Sequence, residues 1–306
     1  MKHYTVLKKE SIEALNIKSD GIYVDATLGY AGDASEILKR IKRGFLFAFD
    51  RDIDAIRYSE KVLSSISDRY KIIHSAFSSL SLKLQEEGIS KVDGILFDLG
   101  VSSPQLDENR GFSFMRDEVL DMRMNQDDKK TAQDVLNTYS FEELKTIFYS
   151  YGEEKKSSFI AKEIVLARKK KPITTTQELC SIILKAVGAK YFYKTHPERN
   201  IFQAIRIEVN NELKEIEKVL PEAISLLNPG GRLAVISFHS LEDRIVKRVF
   251  KKYSEVDRLV KGLPEIPEEY KPMVRLVNKK PIVPSKEELD ENSRSASAKL
   301  RIVERL

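Results

Sequence analysis

The sequence predicts an α/β fold in which a parallel sheet is covered by helices on both faces and interrupted by an inserted helical domain. Three observations carry this. Short apolar runs alternate with helix-like stretches through the first hundred residues, the strand signals stop from about Leu106 to Asn200, and they resume at Arg232.

Four runs read as buried strands: Gly21 to Ala26, Phe45 to Phe49, Tyr70 to Ile73 and Gly94 to Leu99. Helical spacing fills the gaps, with Ile37, Leu38 and Ile41 after the first strand and Ile53, Ile56, Val62, Leu63 and Ile66 after the second. In the insertion, Phe141, Leu144, Phe148 and Tyr151 follow helical spacing. Thr175 to Glu178 looks like a capping box ahead of a helix closed by Gly188. A helix carrying Leu213, Ile216, Leu220, Ala223, Ile224 and Leu227 then runs into an Asn228-Pro-Gly-Gly231 turn and a strand from Arg232 to Phe238. Gly262 to Asp290 holds five of the ten prolines and is expected to be mostly loop, whereas Lys299 to Leu306 is suited to a last strand. The expected division is a core of residues 1–105 and 201–306 around a helical domain of 106–200.

Composition narrows the class. Lys and Arg number 52 against 47 Asp and Glu, a net charge of +5 with pI near 8.9, which permits a nucleic-acid partner without demanding one. The single cysteine, Cys180, excludes an internal disulfide framework and suits a reducing compartment. No run approaches the roughly 20 apolar residues of a membrane span, and none has signal-peptide length, so a soluble cytoplasmic protein is expected. Oligomeric state is not legible.

The first strand runs into Asp25 and a loop with Gly29 and Gly32 that opens a helix. Such a loop lets backbone approach a ligand closely, but it lacks the third glycine of a dinucleotide fingerprint. Asp50 ends the second strand roughly 20 residues later, where a carboxylate can accept both hydroxyls of a ribose, while Asp52 can cap the next helix separately. Phe77 follows the third strand and Asp98 ends the fourth, so four strand ends converge on one crevice. The carboxylates of Asp25, Asp33, Asp50 and Asp98 favour S-adenosylmethionine, a sulfonium with an amino-acid tail, over a pyrophosphate cofactor. A nicotinamide dehydrogenase is correspondingly disfavoured.

Six strings in order carry a family resemblance: FDLGVSSPQLDENRGFSF from Phe97, LDMRMN from Leu120, YGEE from Tyr151, FQAIRIEVNNEL from Phe202, ISFHSLEDRIVK from Ile236 and SAKLR from Ser297. Together with HYTVL at His3 to Leu7, they resemble the bacterial 16S ribosomal RNA cytosine-N4 methyltransferases over nearly the whole chain. The resemblance implies a class I methyltransferase core, Rossmann-like, interrupted by a helical domain. It also implies cofactor contacts at Ala31, Gly32, Asp33, Asp50, Phe77, Asp98 and Gln105, and 16S ribosomal RNA, in the small subunit or free, as partner. The chain departs from the family at Tyr30 to Asp33, where a Gly-Gly-His string is usual, so a backbone role carries over to Asp33 rather than a side-chain role. Ala296 and Ser293 replace an arginine and a proline.

The N4 amine of cytosine is a poor nucleophile, so catalysis must orient it and accept hydrogen bonds from its protons. Asp98, Ser102 and Ser103 are the natural acceptors, the two serines being equally suited to shaping the turn. Phe112 and Phe114 are candidates to stack on an extruded base, with core packing as the alternative. Arg168, Lys169, Lys170 and Lys171, with Lys155, Lys156 and Lys162 and with Arg199 and Arg206, are candidates for RNA phosphates, with a solvated helix face as the alternative. His239 is a candidate RNA contact or a structural hydrogen-bonding residue; as a single histidine it makes a poor metal site, and no metal is expected. A class I methyltransferase acting on DNA or a small molecule, and a non-catalytic RNA-binding assembly factor, remain alternatives.

Overall fold

The structure, a computed structural model, describes residues 5–101, 109–257, 259–260 and 262–306. The chain divides into two compact units, one of residues 1–100 and 213–306 and the other of residues 101–212.

The first unit is built on a seven-stranded sheet. Its strands are β1 (Ile22–Asp25), β2 (Phe45–Asp50), β3 (Tyr70–His74), β4 (Val92–Asp98), β5 (Leu227–Ser237), β6 (Val274–Leu276) and β7 (Lys299–Arg305). They lie in the order β3-β2-β1-β4-β5-β7-β6, with the first five parallel and β7 antiparallel to both neighbours. Successive side chains enter opposite faces, so Phe47, Phe49, Ile95, Phe97, Leu233 and Val235 join one apolar cluster while Leu46, Ala48, Leu96, Ala234 and Ile236 join the other. Burial on both faces explains why these strands read as continuous apolar runs.

Helices cover both sides. Ile12 of α1 (Lys8–Ala14), Ile37 and Leu38 of α2 (Gly32–Arg40) and Leu63 of α3 (Ile53–Ser64) belong to the second cluster. Leu80 and Leu84 of α4 (Leu80–Glu86) belong to the first. Asp52 caps α3 by accepting from the Asp54 N–H at 3.0 Å, as its position suggests.

The second unit holds six described helices: α5 (Ala132–Thr138), α6 (Phe141–Ser150), α7 (Ser157–Arg168), α8 (Thr176–Val187), α9 (Ala189–Thr195) and α10 (Pro197–Asn210). Thr131, Ser140 and Thr175 form capping boxes, the last as the sequence predicts, and Gly188 closes α8 with φ of +79°. Leu136, Leu144, Phe148, Ile160, Ile164, Leu179, Ile183 and Ile205 pack into its core.

Two expectations need correction. The boundary expected at 201 cuts through α10, whose Ile201, Phe202, Ala204, Ile205 and Val209 are buried in the helical unit's own core, so the core resumes at Leu213. The turn at Asn228 to Gly231 lies within β5, which begins at Leu227 and meets β4 with a register shift between Val92 and Gly94. The segment from Gly262 to Asp290 is mostly loop, as expected, interrupted by β6 and by most of α13 (Lys286–Glu291). The remaining helices are α11 (Glu212–Leu226) and α12 (Ser240–Ser254), whose Ile216, Leu220, Ile245 and Val249 cover the first cluster. Among the described residues no helix is long and apolar enough to cross a membrane.

Candidate active site

The carboxyl ends of β1, β2 and β4 are knitted together by their own polar groups. The Ala26 N–H donates to the Leu96 carbonyl (2.9 Å), the Leu28 N–H to the Phe49 carbonyl (2.8 Å) and the Leu99 N–H to the Ile236 carbonyl (3.0 Å). Thr27 joins two strand ends: its N–H donates to Asp25 Oδ1 at 3.1 Å, and its Oγ1 accepts from the Asp98 N–H at 2.6 Å. Nothing in the sequence pattern singled Thr27 out. Its role follows only from β1 and β4 being neighbours.

Asp50 is held from two sides. Oδ2 accepts from the Gly29 N–H at 2.7 Å and Oδ1 from the Asp52 N–H at 2.9 Å, so the carboxylate fixes both the glycine loop and the start of α3. Each oxygen keeps a further lone pair, which leaves room for two more donors. Burial holds this carboxyl above the usual range although the two N–H bonds pull the other way.

The glycine loop turns at Gly29 (φ +47°) and again at Ala31 (φ +62°), a left-handed position costly for a residue with a Cβ. Gly32 is constrained differently from the expectation that it admits a ligand: a Cβ there would lie 1.9 Å from Thr5 Oγ1, so its missing side chain makes room for the N-terminal segment. The next residue, Asp33, is buried and accepts a 2.8 Å hydrogen bond from Ser11 Oγ. Its side chain therefore has a partner in α1 that the family pattern does not indicate.

Four carboxyls thus face one region of strand ends, and they feel one another. Burial, then the charge of Asp33, pushes Asp25 up to about 8. Burial takes Asp33 to about 7, opposed by Ser11 and Lys8. Asp98 is raised well above the carboxylate range, by burial first and then by Asp33, Asp25 and Glu242. Among the described residues none of the four forms a salt bridge, and Asp98 Oδ1 is closed off from solvent with no hydrogen-bond partner. A cluster of this kind is poised for a cationic ligand, which would favour the ionised forms.

Phe77 begins a 3₁₀ turn (Phe77–Ser79) after β3 and meets Phe97 edge to face, with centroids 5.6 Å apart, while the Arg51 guanidinium lies 5.6 Å from the Phe77 centroid. Phe77 is partly buried and packs against the sheet's first cluster. Ser102, Ser103 and Gln105 lie outside the described residues.

Beyond β5, His239 is the N-cap of α12. Its Nδ1 accepts from the Glu242 N–H at 3.4 Å, and Glu242 Oε2 accepts from the N–H groups of Phe238 (2.7 Å) and His239 (3.2 Å). The histidine expected to contact RNA or make a structural hydrogen bond makes the latter here. Glu242, fully buried, raises Asp98 by its charge, and the capping-box spacing His239-Ser-Leu-Glu242 was the signal that could have found it.

The residues expected to meet RNA separate into two groups. Phe112 is buried in the helical unit's core and offers no ring face, and Phe114 packs edge to face on Phe202 at 5.7 Å. Arg168 donates to the Leu136 carbonyl (2.7 Å), Lys171 pairs with Glu178 (2.6 Å), and Arg206 forms a two-pronged pair with Glu212 at 2.8 Å per contact. These three cations have structural partners. Lys169, Lys170 and Arg199 are exposed.

A sequence model described as the MraW methylase family matches residues 1–306. Among solved structures, a chain from Clostridium thermocellum proposed to be an rRNA methylase is similar with 13% identity, TM-score 0.43 and 100% of each chain covered. An rRNA methylase from Streptococcus thermophilus shows 12% identity and TM-score 0.43, covering 98% of this chain and 93% of that one. SMU.1697c from Streptococcus mutans, in complex with SAH, shows 12% identity and TM-score 0.46 over 99% of each chain. All three scores fall below 0.5, and family assignment rests on the whole-chain match alone.

Proposed function

Because the chain belongs to the MraW methylase family, we propose that it methylates the exocyclic N4 of a cytosine in small-subunit (16S) ribosomal RNA. The protein is an S-adenosylmethionine-dependent methyltransferase with the class I α/β fold. The acceptor is the proposed part, and it rests on the ordered sequence strings described above. One observation carries the choice of site: four buried or half-buried carboxyls at or beside the strand ends form no salt bridge among the described residues. S-adenosylmethionine brings a sulfonium-activated methyl group and an ammonium, and its positive charge fits such a set.

In this reading Asp50 uses the lone pairs left free by Gly29 and Asp52 to accept the ribose hydroxyls. Phe77 supplies an aromatic ring for the base. Asp25 and Asp33 bias the crevice towards cations, and Ala31 and Gly32 shape the loop above them. Asp98 ionises more readily once positive charge is near, and its Oδ1, free of other partners, then accepts a hydrogen bond from the amine and holds the proton that amine must lose. Exposed Lys169, Lys170 and Arg199 are left for RNA phosphates. The protein would act in the cytoplasm.

The test is methyl transfer from isotopically labelled S-adenosylmethionine to unmodified small-subunit RNA, free and in assembled subunits, followed by nucleoside mass spectrometry. N4-methylated cytidine is the expected product. Label on another nucleoside, or on DNA or a small molecule but never on RNA, overturns the proposed acceptor.

A further inference from the structure

We propose that the outward face of α7 is a binding surface for unpaired RNA, on which bases stack against Phe159 while Lys162, Lys169 and Lys170 meet the phosphates. The proposal rests on the RNA reading above and adds the place and the kind of RNA. Helix α7 buries Ser157, Ile160, Ala161 and Ile164 and presents Phe159, Lys162 and Leu166 outward. Phe159 is 64% exposed and Leu166 45%. At about 100° per residue, Phe159, Lys162, Leu166, Lys169 and Lys170 fall within roughly one third of the helix circumference, the last two on the turn that continues the helix.

A lone exposed phenylalanine needs no explanation. This one shares a face with a second apolar side chain and three lysines that form no salt bridge among the described residues. The structure sorts the basic run for us: Arg168 and Lys171 are tied to Leu136 and Glu178, while the lysines between them are left exposed. The acid at the edge of the stripe, Glu163, is already paired with Lys185. What remains is a single-sign surface interleaved with an aromatic ring, complementary to a polyanion whose bases are accessible. A duplex hides its base faces, so the ring selects unpaired nucleotides.

The experiment is fluorescence anisotropy with a labelled oligouridylate and an RNA duplex of the same length, each across a salt series, with sedimentation and S-adenosylmethionine calorimetry as controls. Phe159→Ala should weaken single-strand binding about tenfold. It should leave the salt slope and duplex binding unchanged, and Phe159→Tyr should restore affinity. The triple variant Lys162→Gln, Lys169→Gln, Lys170→Gln should flatten the single-strand salt slope by about 2 units, from roughly 0.7 per neutralised phosphate. If the wild type binds oligouridylate and both variants match it in affinity and slope, the surface is refuted while the RNA reading stands. If the wild type binds neither RNA, both fail. A wild type that sediments as a dimer and a Phe159→Ala variant that sediments as a monomer would give the face to a second copy of the chain and overturn the proposal.

Discussion

The helical unit's Glu154 and the acids at the ends of β1 and β4 show two treatments of a buried carboxylate. In the helical unit Glu154 is buried and accepts from three donors, the Lys156 N–H (2.8 Å), Tyr191 OH (2.8 Å) and Asn200 Nδ2 (3.3 Å). Glu208 likewise accepts from Tyr139 OH (2.6 Å) and Lys130 (2.9 Å). Glu198 and Glu118 stand between the extremes: one oxygen is met by His196 Nδ1 (2.9 Å) or by the Gly111 N–H (2.9 Å), and the other has no hydrogen-bond partner. In the sheet unit the acids crowd one another instead, and Asp98 keeps one oxygen with no partner. A satisfied carboxylate explains itself as structure, because its donors would be orphaned without it. Unsatisfied, mutually repelling carboxylates cost stability and point to a ligand that offsets the cost.

The comparison breaks most sharply at Asp98. Asp98→Asn removes an anionic acceptor while keeping the shape, and should lower single-turnover methyl transfer by about a hundredfold or more. The melting temperature should hold or rise, since a buried carboxyl with neighbouring acids is removed. A normal rate with a lowered melting temperature would return Asp98 to a structural role. Next is Asp50→Ala, where losing hydrogen bonds to a charged acceptor costs about 1.5 to 3 kcal/mol, or tenfold or more in cosubstrate affinity by calorimetry. Unchanged affinity in a folded variant would remove Asp50 from the site.

The helical unit supplies the contrast. Glu154→Ala orphans three donors and should destabilise by roughly 1 to 3 kcal/mol in chemical denaturation, leaving S-adenosylmethionine affinity as it was. A parallel loss of affinity would erase the distinction between the units.

The smallest effect is in pH. Folded-state carboxyls raised from 3.8 to about 8 at Asp25 and about 7 at Asp33 contribute stability that is full below the unfolded value and lost as pH climbs through those raised values. Ligand-free protein should therefore melt lower at about pH 8 than at about pH 5 from this source. A cationic ligand binds the ionised forms, so affinity should rise a few-fold from about pH 6 to about pH 9 with proton release on binding. S-adenosylhomocysteine, lacking the sulfonium charge, should show a weaker trend, and equal pH profiles for the two would contradict the electrostatic account.

Much of this arrangement was legible in the sequence, and the parts that were not share a reason. Strands β1, β2 and β4 could be read because both their faces are buried, so apolar residues run unbroken up to an aspartate at each strand end. Strand β6 could not: of its three residues Arg275 and Leu276 are exposed, and among the described residues it pairs with β7 alone. The acidic strand ends were visible as residue types, but Ser11 on Asp33 and Thr27 under Asp98 are contacts between segments that sequence spacing does not connect. The basic residues show the same limit. Arg168 and Lys169 look alike in a string, and only the position of the Leu136 carbonyl separates them.

Strands β4 and β5 lie side by side, yet the whole helical unit falls between them in sequence. Pairing such neighbours carries a closure entropy of about 1.5 RT ln n and slows folding. In the insertion, α6 packs on α7 and α7 on α8, local contacts that can form early and shorten the loop left to close. The topology therefore favours helices first and β5 onto β4 afterwards. The Leu99 N–H can reach the Ile236 carbonyl only when β5 lies on β4, so a chain still missing β5 holds Asp98 on an unfinished edge.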